Sequence, residues 1–93
     1  MRIEFRKSFE KSLKKVNSKD RENVFEVCQA LLDVIEKQEQ PSQGIGLKKL
    51  EKNFWEIRVN IQIRIIFEWQ QDLLKFILAG NHDEIKKFLK ENI

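Results

Sequence analysis

Between Phe54 and Gly80 the apolar residues return at every second position in three successive runs. That period belongs to strands buried on one face, not to helices. In the first run Trp55, Ile57 and Val59 point one way, and Glu56 and Arg58 the other. In the second, Ile63, Ile65, Phe67 and Trp69 share a face opposite Arg64, Ile66 and Glu68. In the third, a two-residue turn at Gln71-Asp72 brings Leu74, Phe76 and Leu78 to the shared face and sets Lys75 against Glu68 as a structural ion pair. Connections this short join antiparallel neighbours. A one-residue slip would turn the arginines into the core, so the first connection holds an odd number of residues, most simply Asn60-Ile61-Gln62. That register puts Arg58 directly opposite Arg64. Like charges so placed repel, and the pair predicts an anion or a carboxylate beside it. Ile66, Ile77 and Ala79 fall on the arginine face, which predicts that something covers part of it.

The preceding half is helical. Met1 to Phe5 alternates and suits a short strand. Ser8 is placed to cap a first helix carrying Phe9, Leu13 and Val16 as its apolar stripe. Asn17 or Ser18 caps a second, in which Val24, Val27, Cys28, Leu31, Leu32 and Ile35 keep the helical period to about Lys37. Pro41 and the pair Gly44 and Gly46 end it. Asp83 and Glu84 open a last helix with Ile85, Phe88 and Leu89 apolar. The order is β-α-α-β-β-β-α, an α+β domain whose antiparallel sheet carries a helical hairpin on its apolar face. At 93 residues it is expected to be one domain spanning 1–93.

With 41% hydrophobic and 35% charged residues the chain is too apolar to be disordered. No apolar run reaches the length of a membrane span and no signal-peptide core opens the chain, which gives a cytoplasmic expectation. The single Cys28 lies in a helical stripe and reads as a small buried hydrophobe. Residues 1–21 hold eight basic and three acidic side chains, whereas residues 22–47 hold one and five. A basic end of this kind fits a polyanionic partner or a solvated lysine-rich helix face.

Leu47-Lys48-Lys49-Leu50, Trp55-Glu56-Ile57-Arg58-Val59, Arg64-Ile65-Ile66-Phe67 and Gly80-Asn81-His82-Asp83 occur in that order, after the helical segment FRKSFEKSLKKV. This ordered set resembles the RelE/ParE superfamily of toxins from toxin–antitoxin modules, over essentially the whole chain. The resemblance implies a RelE-like fold and a toxin that cuts messenger RNA in the ribosomal decoding site. In that reaction the ribose 2′-hydroxyl attacks the adjacent phosphate. It also implies a cognate antitoxin as partner, contacts with 16S ribosomal RNA, and a toxin that is monomeric on its own. The superfamily includes ParE-type members that inhibit gyrase without nuclease residues, and that alternative stays open here, as does an inactive RNA-binding relative.

Residue by residue, Arg64 matches the family's phosphate-binding arginine and Arg58 a basic residue of the preceding strand. Glu56 stands where RelE has lysine and resembles the carboxylate base of YoeB-like members. His82 falls where relatives place the acid. Phe88 stands where RelE has tyrosine, a residue this chain lacks altogether. Glu56 as base, His82 as acid, and Arg58 and Arg64 on the phosphate supply all that the reaction needs. No metal or cofactor is expected, since the one histidine has no ligand partner at metal spacing. Lys48, Lys49, Lys52 and Phe88 are candidate RNA contacts. Each residue also has a plain alternative. His82 could cap the last helix, Glu56 could simply neutralise the arginines, and the lysines could form a solvated loop. Phe88 could be packing alone, and an apolar patch of Ile66, Ile77 and Ala79 could receive the antitoxin.

Overall fold

The structure, a computed structural model, describes residues 1–37 and 46–92. Pro41 and Gly44, read above as helix terminators, lie outside the described residues. The elements are β1 (Arg2–Phe5), α1 (Lys7–Lys14), α2 (Ser18–Glu36), β2 (Leu47–Lys49), β3 (Phe54–Arg58), β4 (Arg64–Gln70), β5 (Leu73–Gly80) and α3 (His82–Asn92). They build a five-stranded sheet in the order β1-β5-β4-β3-β2. The fold is the expected α+β arrangement, with two additions. Leu47–Lys49 forms an edge strand antiparallel to β3, and β1 pairs parallel to β5, so the sheet is mixed. Three residues with two lysines carry too little alternation to be read as a strand, and they form one because β3 offers an open edge.

The helical hairpin packs Phe9, Leu13, Val24, Cys28 and Leu31 against Ile57, Ile63, Ile65, Phe67, Leu74 and Phe76. Phe67 and Phe76 are fully buried and stand 6.1 Å apart at 55°. Asn17 caps α2 by accepting from the Asp20 amide at 2.8 Å. Ser8 does not cap α1, whose N-cap is Arg6 without a side-chain bond. The Ser8 hydroxyl donates instead to the Ile77 carbonyl of β5. Ser12 accepts from the Ala79 amide at 3.0 Å. β1 stops pairing at Phe76, and these two hydroxyls of α1 take up backbone groups of β5 beyond that point.

The first hairpin has the expected register. Ile57 faces Ile65 and Arg58 faces Arg64. Asn60 fixes the three-residue connection, its side-chain oxygen accepting the amides of Gln62 and Ile63 at 2.8 Å each. Glu68 faces Lys75 as expected, with 3.9 Å between the charges. Above that pair the expectation fails. A bulge places Ile77 between the pairs Phe67–Phe76 and Ile66–Leu78. The extra residue reverses the facing of the strand end. Ala79 therefore joins the hairpin-side core, and Leu78 turns to the other face.

That other face is covered by α3. Ile66, Ile77 and Ile85 are buried there with Leu50, Phe54, Leu78, Phe88 and Leu89 packed around them. The expected exposed patch of Ile66, Ile77 and Ala79 does not exist: two of these residues lie under α3 and the third lies in the main core. Alternation alone could not show which residues a distant helix would cover. No helix among the described residues is long and apolar enough to cross a membrane.

Candidate functional site

Beyond the rim of the apolar patch, the α3 face of the sheet becomes polar. Across it run two rows of register partners, Lys48–Glu56–Ile66–Leu78 and Arg58–Arg64–Gly80. The second row ends on a glycine, so the residue in register with Arg64 carries no side chain of its own. Gly80 is also closed to larger residues, because a Cβ there would meet the Glu84 Cβ and carboxylate at 3.1 Å.

The chain then turns directly into α3 through a capping box. Asn81 accepts from the Glu84 amide at 2.9 Å, and the Glu84 carboxylate accepts from the Asn81 amide at 3.0 Å. This exchange answers the question left open for His82. The cap is Asn81, and the imidazole at the first helical position is released from any capping duty. The Asn-x-x-Glu spacing was visible in the chain and is the signal that could have identified the cap.

His82 is exposed and reaches back over the sheet, where its Nδ1 lies 2.8 Å from Nη1 of Arg64. The same guanidinium nitrogen lies 3.8 Å from the Glu56 carboxylate, a partly buried ion pair. Glu56, Arg64 and His82 are thus gathered around one nitrogen, from β3, β4 and the chain just past β5. Arg58 shares a row with Arg64 through their register, and its side chain is exposed. Among the described residues no carboxylate pairs with it. The carboxylate predicted for the opposed arginines is Glu56, and it attends Arg64.

The other candidates divide. Lys48 stands in register with Glu56 and so shares the face of the site. Lys49 points to the opposite face, its ammonium 5.6 Å from the Trp55 ring centroid. Lys52 occupies the turn between β2 and β3 with a φ of 59°. Phe88 packs edge-on to Phe54 at 6.0 Å, within the patch under α3. Beside His82, on the side of the β3–β4 connection, an open cleft of about 460 Å³ is lined by Ile61, Gln62, Ile63, Asn81 and Asp83.

Together the arrangement offers a carboxylate that can take a proton, an imidazole that can carry one, and guanidinium groups that can hold an oxyanion between them.

No protein-family model matches the chain, and no curated protein matches it in sequence. Solved structures do resemble it. The E. coli DinJ–YafQ complex contains a chain with a TM-score of 0.69 at 20% identity, over 91% of this chain and 98% of that one. A copper-bound mutant toxin from Helicobacter pylori aligns with a TM-score of 0.68 at 18% identity, over 91% and 98%. The RelB–RelE antitoxin–toxin complex from Methanococcus jannaschii gives 0.67 at 24% identity, over 91% and 96%.

Proposed function

We propose that this chain, which has the fold of the RelE/ParE toxins, is the toxin of a type II toxin–antitoxin module and an endoribonuclease acting on messenger RNA at the ribosome. The observation that carries the reading is the convergence of Glu56 and His82 on a single nitrogen of Arg64. A surface that only bound a partner would have no use for a proton acceptor and a proton donor flanking one anion-binding group.

In this reading the scissile phosphate lies on Arg64, with Arg58 next to it in the same row. Glu56 takes the proton of the ribose 2′-hydroxyl. The oxygen attacks phosphorus, the bond from phosphorus to the 5′-oxygen breaks, and His82 supplies a proton to that oxygen. The products are a 2′,3′-cyclic phosphate and a free 5′-hydroxyl. The guanidinium groups stabilise the negative charge that grows on the pentavalent phosphate. Lys48, beside Glu56, belongs to the backbone-binding rim, with Lys52 in the adjoining turn. The folds shared with the DinJ–YafQ and RelB–RelE complexes support a cognate antitoxin as partner.

The test is induced expression without an antitoxin, followed by mapping of the 5′ ends of messages. New ends within translated regions, lost in Arg64→Ala and His82→Ala, are expected. Intact messages with disturbed DNA supercoiling would replace this reading by a ParE-type one.

A further inference from the structure

A guanidinium only donates hydrogen bonds. At 2.8 Å from Arg64 Nη1, the Nδ1 of His82 must therefore present a lone pair, and the ring carries its one proton on Nε2. The imidazolium ion has N–H groups on both nitrogens and would turn Nδ1–H against a cation. The contact and the charged ring exclude each other. Yet the neutral ring is the wrong form to protonate a leaving oxygen, because loss of its only N–H would leave an anion.

We infer that phosphate binding arms His82. A phosphodiester arriving at Arg64 draws the guanidinium off Nδ1 and adds a negative charge beside the ring. Nδ1 then takes a proton from solvent. The place where Nδ1 and Arg64 now meet is the place the phosphate must occupy, so this new proton faces the substrate. When the phosphorus–oxygen bond breaks, the 5′-oxygen takes the proton from Nδ1, and the ring returns to the Nε2–H form that Arg64 holds at rest. One proton enters with each phosphate and leaves with each product. What the armed ring does next rests on the nuclease reading, whereas the coupling of anion to proton does not.

Charges of both signs lie on the elements around the ring. Arg64 on β4, Arg58 on β3 and Lys48 on β2 oppose a positive ring, as does the N-terminal end of α3. Glu56 on β3 and Asp83 and Glu84 on α3 favour it, although Glu84 is engaged with the Asn81 amide. The β3–β4 connection adds no charge through Ile61, Gln62 and Ile63.

Because His82 is the only histidine, its ring nitrogens can be read without ambiguity by ¹⁵N NMR. The probe is a 2′-deoxy oligonucleotide, which lacks the attacking hydroxyl, with sulfate as a second anion. In the free protein near neutral pH, Nδ1 is expected bare and Nε2 protonated. On saturation both become protonated, and calorimetry in buffers of different ionisation heat reads up to one proton taken up per strand. Affinity should rise by up to tenfold per pH unit lowered, a slope absent from His82→Gln. In free Arg64→Gln the guanidinium donor is gone, so Nδ1 is no longer held bare and the ring nitrogens should change their proton distribution. A bare Nε2 in the free parent, or ring states unmoved by both the anions and Arg64→Gln, overturns the inference. So does failure of both anions to bind. Messages cut with no such coupling would sink the inference alone, and coupling with messages left intact would sink the nuclease reading alone.

Discussion

Arg64 is paired with Gly80, not with Ala79, because the bulge at Ile77 lengthens β5 by one residue relative to β4. Without it, the register set by Glu68 and Lys75 would bring a methyl-bearing residue beside the arginine. With it, Arg64 faces a glycine, and the capping box that follows places His82 within 2.8 Å of the guanidinium. Bulges commonly re-aim a strand end in this way near sites. Ser8 and Ser12 hold the same stretch from α1 by bonding Ile77 and Ala79.

Gly80→Ala tests how closely this corner is packed. The new methyl would stand 3.1 Å from the Glu84 side chain, whose carboxylate is tied into the cap. Overpacking of this kind costs about 1–3 kcal/mol, to be read from urea unfolding midpoints. Message cleavage should fall further than stability accounts for, because His82 rides on the displaced turn.

Asn81→Ala removes the acceptor for the Glu84 amide. A lost N-cap costs about 0.5–2 kcal/mol. Amide exchange should quicken in the first turn of α3 while α1 and α2 keep their protection. Uniform loss of protection through all three helices would show that the cap stabilises the whole fold and not the site locally.

Arg64→Ala should lower message cleavage by about 10²–10³, the loss seen when a main oxyanion partner is removed. Glu56→Gln and His82→Ala should each cost about 10²–10⁴. His82 is exposed and the Arg64–Glu56 pair is only partly buried, so these substitutions should cost far less stability than activity. Circular dichroism and melting temperature should therefore stay near the parent's. A variant that retains full toxicity would remove its residue from the mechanism.

Cys28 gives a pH prediction away from the site. Burial in the core pushes its thiol up to about 12. The folded value lies above the unfolded one, so the stabilisation is fully present below the ordinary thiol range. It is lost as pH rises from there towards about 12, because the unfolded chain gives up its proton first. Denaturant midpoints should decline across that alkaline interval in the parent. In Cys28→Ala this part of the decline should vanish, although the variant is less stable throughout. Iodoacetamide should label the parent only after unfolding.

Much of this molecule could be read along the chain. Alternation located β3, β4 and most of β5, and the penalty for burying arginines dictated the Arg58–Arg64 register that the hairpin shows. Asn17, Phe9, Leu13 and Cys28 took their expected parts as cap and core. Lys48 was harder, since its relation to Glu56 depends on a three-residue strand with almost no pattern of its own. Asn81 and Glu84 left a legible spacing that marks the cap, yet nothing local announces where the capped helix lies.

Periodicity and charge are properties of neighbours in the chain, and they settled which side chains share a face and which cannot be buried. The bulge at Ile77, the covering of Ile66 by α3 and the meeting of His82 with Arg64 join residues far apart in the chain. They depend on how strands of unequal length and a returning helix pack together in space. Such contacts are energetic compromises among several elements at once, so no single segment carries their signature.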